Sequence, residues 1–139
     1  MEKYTEARSS SNVIKIIQTL AENGEIIIEN KSYPIEFGNL YFINCSKKYS
    51  VIPAQKDDYL QNTVMVSREF LDKLAELLDF TKETEDIFKN GYFLPVKHHK
   101  IIDDHFKKMS SVYNSEKAFS KALFTAKFLD LLNYAVSSL

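Results

Sequence analysis

From Val13 to Val66 the apolar side chains fall in short runs broken by polar turn signals, and from Ser67 onward they recur at helical spacing. In the first region β-branched Val13, Ile14, Ile16 and Ile17, and then Ile26, Ile27 and Ile28, flank the polar stretch "AENGE", which has the composition of a hairpin connection. "ENKS" marks a second turn and Gly38-Asn39 a third; between them residues 33–37 read as a short strand, with Pro34 indicating a sheet edge. "LYFIN" is a further strand. After the polar segment "CSKKYSVIPAQKDD" the run "YLQNTVMV" is the last. Alternation sets Glu25, Ile27 and Glu29 on one face and Ile26 and Ile28 on the other, so the latter pair is expected inside. "IKII" and "IIIE" are apolar on both faces, which predicts cover on the outside as well.

At Ser67 the period changes. "SREFLDKLAELLDF" aligns Phe70, Leu71, Leu74, Leu77 and Leu78 along one helical stripe, with Ser67 as N-cap and Glu69 in the first turn. "TKETEDIFKNGYFLPV" reads as a polar linker ending in an aromatic cluster, a loop that folds back on the sheet. A second helix is expected over residues 96–113, carrying Ile102, Phe106, Met109 and Tyr113. The third, from Ser115 to the end, is apolar on two sides: Phe119, Leu123 and Ala126 on one, Phe124, Phe128, Leu131 and Ala135 on the other. Such a helix is either wedged between two elements of its own chain or shared with a partner. As the terminal element of a small domain it favours sharing, and hence a dimer.

Short strands at close spacing followed by helices give an α+β fold, mainly β: a small antiparallel barrel or sandwich over residues 1–66, then a helical segment of two to three helices over residues 67–139. The length, 139 residues, is that of one domain, long enough to bury a core without covalent staples. Eighteen basic and nineteen acidic residues nearly cancel, which removes the cationic footprint that binding a phosphate backbone requires. A single cysteine allows no internal disulfide and fits a reducing compartment. With no apolar run near membrane-spanning length, and no apolar leader in "MEKYTEARSSSN", a cytoplasmic protein without membrane contact is expected.

Between Gly24 and Ile43 the pattern becomes more specific. Gly24-Glu-Ile26-Ile-Ile28, then Glu29-Asn30-Lys-Ser-Tyr33-Pro-Ile35, then Gly38-Asn39-Leu40-Tyr-Phe42-Ile43, resembles the N-terminal cupin-type domain of AraC-family transcriptional regulators. "YLQNTVMVSREFLDKL" is similar to that family's final barrel strand and the helix after it. In this set Gly24 and Gly38 would shape turns, and Tyr33 would pack one sheet on the other. Asn39 stands where the family prefers Asp, Cys45 and Ser46 lie in the region of its usual Pro, and Tyr49 stands where a His is common.

The resemblance implies an effector-sensing and dimerisation domain. It would bind a small molecule, with a sugar as one candidate, inside the barrel, and would pass its state to a helix-turn-helix domain that contacts DNA and is absent from this chain. The chain stops at "NYAVSSL", where a linker to such a domain would begin, which predicts a fragment. Arg8, Tyr49 and Asn62, polar groups beside hydrophobic strands, are the candidate ligand contacts. Phe119, Leu123, Phe124, Phe128 and Leu131 are the candidate dimer contacts.

Chemistry finds less support. The three histidines, His98, His99 and His105, lie together in the second helix rather than in the strands, where a metallocupin would need them, so no metal or other cofactor is expected. His99 and Asp103, four apart, supply at most two ligands. Cys45 has no histidine near it in sequence and reads as a small buried residue before it reads as a nucleophile. Glycines at positions 24, 38 and 91 form no phosphate loop. These observations favour a protein that is not an enzyme. A stand-alone cupin-like isomerase or dioxygenase, and an interaction module with a filled barrel, are the alternatives.

Overall fold

The computed structural model describes residues 2–3, 12–89, 92–96, 99–115 and 117–137. In chain order the elements are β1 (Glu2–Lys3), β2 (Val13–Thr19), β3 (Gly24–Ile28), β4 (Lys31–Pro34), β5 (Leu40–Asn44), β6 (Tyr49–Pro53), a 3₁₀ turn (Lys56–Asp58), β7 (Leu60–Ser67), α1 (Arg68–Leu78), α2 (Thr81–Phe88), β8 (Tyr92–Leu94), α3 (His99–Tyr113) and α4 (Ser120–Ser137). The strands form two antiparallel sheets. One has five strands in the order β1-β7-β2-β5-β8, the other three in the order β4-β3-β6.

Strand β2 shows why there are three layers. It lies at the centre of the large sheet, Ile16 opposite Phe42 of β5 on one side and Val64 of β7 on the other. Its side chains alternate, so Ile14 and Ile16 enter a core shared with the helices while Ile17 enters a core shared with the small sheet. Strand β5 repeats the division: Leu40 and Phe42 face the helices, Tyr41, Ile43 and Cys45 the small sheet. A strand apolar on both faces is therefore covered on both, as "IKII" predicts. Ile26 and Ile28 are fully buried between the sheets, as the alternation of β3 predicts. Tyr33 of the small sheet meets Phe93 of the large one, ring centroids 5.6 Å apart, so it does pack sheet on sheet.

The pairing departs from the sequence reading in two places. "AENGE" is no hairpin turn, because β2 and β3 belong to different sheets and the stretch carries the chain across from one to the other. At this corner Asn23 and Gly24 take φ of 67° and 120°. A Cβ on Gly24 would meet Ile52 O, Pro53 Cα and Ala54 N at 2.5, 2.8 and 2.9 Å, all backbone, so nothing larger than glycine fits. Secondly, the polar segment after β5 contains a strand, β6, which pairs along the whole of β3. Of the barrel and the sandwich that the sequence left open, no closed barrel is seen: no ladder joins the two sheets among the described residues.

The tight turn between β3 and β4 falls where "ENKS" places it, with Glu29 left-handed at φ 58°. Pro34 ends β4, an edge strand, where its missing N–H costs no ladder bond. At the junction with the helices, Ser67 caps α1 by accepting a hydrogen bond from Phe70 N at 3.0 Å. Leu71 and Ala75 are the buried side chains of α1, whereas Leu77 and Leu78, expected on its inner stripe, are exposed. The expected linker of residues 81–96 is instead helix α2 followed by β8, an edge strand on β5. It does fold back onto the sheet. Helices α3 and α4 form a hairpin whose inner side chains Ile102, Phe106, Met109, Phe128, Leu131 and Ala135 complete the core under the large sheet.

Candidate ligand grooves and dimer face

The space between the sheets, where a cupin-type ligand site was expected, is occupied by side chains. Ile17, Ile26, Ile28, Ile35, Tyr41, Ile43, Val51 and Tyr59 are all buried there. Tyr49, a candidate ligand contact, belongs to this packing: its ring is buried and its hydroxyl accepts a hydrogen bond from Lys15 Nζ at 2.9 Å. Cys45 lies in the same cluster. Burial pushes its thiol pKa up, against a smaller lowering by the Lys15 charge, which favours the neutral thiol. Tyr41, whose hydroxyl donates to Pro34 O, is likewise raised, by burial first. These are packing roles.

Asn62, the second candidate, points to the other side of the large sheet. Its Nδ2 donates to Gln18 Oε1 at 2.9 Å and to Asp103 Oδ1 at 3.2 Å. Asp103 in turn pairs with Lys107 at 3.1 Å. The chain Gln18–Asn62–Asp103–Lys107 thus runs from the buried sheet to the surface and fastens α3 to β7 and β2. Asn62 thus acts as a clamp between sheet and helix. Asp103 is engaged in this clamp, and among the described residues no three His, Cys, Asp or Glu side chains are placed to hold a metal ion. Arg8, the third candidate, and His98 lie outside the described residues.

Helix α4 divides the five candidate dimer residues. Phe128 and Leu131 are completely buried within the chain, together with Leu132 and Ala135, so they build the core and cannot meet a partner. Phe124 is half-buried, its ring stacked on Phe128 at 6.3 Å and tilted against Tyr113 at 6.0 Å. Phe119 and Leu123 are 75% and 49% exposed. Leu123 N donates to Phe119 O at 2.9 Å, so the two stand one helical turn apart. At about 100° per residue, Phe119, Leu123 and Ala126 fall on the side of α4 opposite Phe128 and Ala135. The helix therefore has a satisfied inner stripe and an uncovered outer one.

Grooves open on the helical side of the molecule. An apolar one of about 280 Å³ lies between the end of α1, α2 and α4, lined by Leu78, Phe80, Ile87, Leu129 and Leu132 with Glu83 and Asn133 at its polar positions. Two more, of about 230 and 440 Å³, flank the Tyr113–Phe124 pair along β7. A fourth, of about 420 Å³, lies where β2 and β5 meet α1 and α2 and is the most polar of these. Sequence reasoning missed this last one because its lining comes from β2, the turn after β5, α1 and α2, and the α2 stretch was read as linker.

No protein-family model matches the chain, and no curated protein matches it closely enough to be a relative. No helix of the described residues is long and apolar enough to cross a membrane.

Proposed function

We propose that the chain is a non-catalytic sensing and dimerisation module, of the kind that AraC-like regulators join to a DNA-binding domain. The observation that carries this reading is the outer stripe of α4. Phe119, Leu123 and Ala126 are exposed and apolar on a helix whose inner face is already buried, and an apolar stripe of this kind gains from cover by a second helix. Two copies placing α4 against α4 would cover it. A small-molecule effector fits the helical side, where the grooves are, better than the filled space between the sheets. Its effect on the dimer would be limited to its differential affinity for the two arrangements. DNA contact would belong to a further domain, in keeping with the near-zero net charge of this one.

Light scattering tests the central claim. Wild-type protein should be dimeric at high micromolar concentration, and the Phe119→Glu, Leu123→Glu double variant should be monomeric with an unchanged circular-dichroism spectrum, because neither side chain belongs to the core. A wild-type protein that stays monomeric would sink the reading. So would a double variant that remains dimeric.

A further inference from the structure

The polar groove between the sheet and the first two helices has a floor of Ile14, Leu71 and Phe88, all buried apolar side chains. Above this floor stand charges of both signs: Lys47 after β5, Arg68 and Asp72 on α1, Glu85 on α2 and Lys89 at its C-terminal end. Some are already engaged. Lys47 pairs with Glu29 at 3.1 Å, and Arg68 approaches Asp72 at 3.8 Å. Glu85 and Lys89 have no ion partner among the described residues. They are four apart with the acid N-terminal, an arrangement that commonly closes into a helical ion pair, yet here the two charges stand apart on the rim.

Asn44 adds a third unused group. Its side chain is 5% exposed and lines the groove, and its Oδ1 accepts from both Ser46 N at 3.1 Å and Ser46 Oγ at 2.8 Å. That leaves the Nδ2 donors without an acceptor among the described residues. These donors open onto the solvent-filled groove, where a ligand oxygen can accept from them. The groove therefore offers one free carboxylate, one free ammonium, one free amide donor and an apolar floor, in a volume within the ~300–1,000 Å³ range of small-molecule sites.

We infer that this groove binds a zwitterionic small molecule with an apolar side chain, an α-amino acid in its simplest form. The ligand carboxylate would take the Lys89 ammonium and the Asn44 Nδ2 donors, its ammonium would take the Glu85 carboxylate, and its side chain would lie on Phe88 and Leu71. A simple anion would leave Glu85 facing like charge, and a simple cation would do the same to Lys89; only a ligand carrying both signs matches both groups. The inference deepens the sensing reading and rests on it for regulatory meaning, whereas binding itself can be measured without reference to dimerisation.

The test is a titration of isotope-labelled full chain, followed by backbone amide shifts, with L-phenylalanine and L-leucine as probes. Saturable shifts are expected at residues 44–47, 68–72 and 84–89. N-acetyl-phenylalanine, which lacks the ammonium, and phenylalaninamide, which lacks the carboxylate, should each bind about tenfold more weakly or worse. Glu85→Gln should abolish the discrimination against the acetylated probe, and Lys89→Met the discrimination against the amide. Both positions are exposed, so both variants should keep the wild-type fold. Absence of saturable shifts with either amino acid overturns the inference, and so does equal binding of N-acetyl-phenylalanine, which would make this an anion site. Light scattering on the same samples keeps the two readings apart: binding by a monomer defeats the dimer alone, and a dimer without binding defeats the ligand site alone.

Discussion

The two faces of the five-stranded sheet are finished differently. Towards the small sheet the chain closes its own core with isoleucines and tyrosines, and Lys15 on that face donates to the Tyr49 hydroxyl. Towards the helices the core is equally well buried at its centre, around Phe42, Phe106, Phe128 and Leu131, but its margins open into grooves and end in exposed Leu77, Tyr113, Phe119 and Leu123. The difference follows from the covering element. A sheet laid on a sheet meets it over its whole area, whereas cylinders laid on a sheet leave furrows between them and turn a second side outward. Sites for partners and ligands are accordingly expected on the helical side.

Three experiments probe this contrast. The largest effect belongs to the centre of the helical core: Phe128→Ala should lower unfolding free energy by about 3–5 kcal/mol, as deep aromatic truncations do. A loss under 1 kcal/mol in urea denaturation, roughly the scale of a surface substitution, would mean that α4 is not docked as described. Next comes the clamp. Asn62→Ala should cost about 1–3 kcal/mol by depriving Gln18 and Asp103 of a donor. If it loosens α3 selectively, amide exchange should quicken in α3 and β7 while the small sheet stays protected.

The smallest effect is expected on the side between the sheets and only at high pH. Cys45 and Tyr41 are both raised above their ordinary values of 9.0 and 10.0, chiefly by burial. A folded state that holds its protons more tightly than the unfolded chain keeps its full stability below the unfolded pKa and loses it as pH rises through the folded one. The melting temperature should therefore fall as pH rises beyond about 9, and Cys45→Ala should flatten the first part of that fall. An identical alkaline profile in the variant would contradict the burial of the thiol.

Much of the fold was legible in the chain because it depends on short-range rules. Alternation identified Ile26 and Ile28 as interior residues; the change of period placed the start of α1 at Ser67, where a serine can cap it; and "IKII" announced a strand covered on both faces. The elements missed were those with weak local signals. In α2, Ile87 and Phe88 are the buried apolar residues, both in its last turn, so "TKETEDIF" shows no stripe. β6 is bordered by lysines on both sides, which made its alternation read as loop. The polar groove was out of reach for the same reason.

Local sequence sets what each residue can tolerate: glycine at the corner where β3 begins, a cap at Ser67, two apolar stripes along α4. How these parts combine depends on the folded chain as a whole. Strand β3 pairs β6 rather than β2; Asn62 turns to α3 and Tyr49 into the small-sheet core; and of the two stripes on α4 the one with Phe128 is buried while the one with Phe119 is left open. Face and backbone conformation are set by neighbours a few residues away, whereas pairing and burial depend on contacts between segments tens of residues apart.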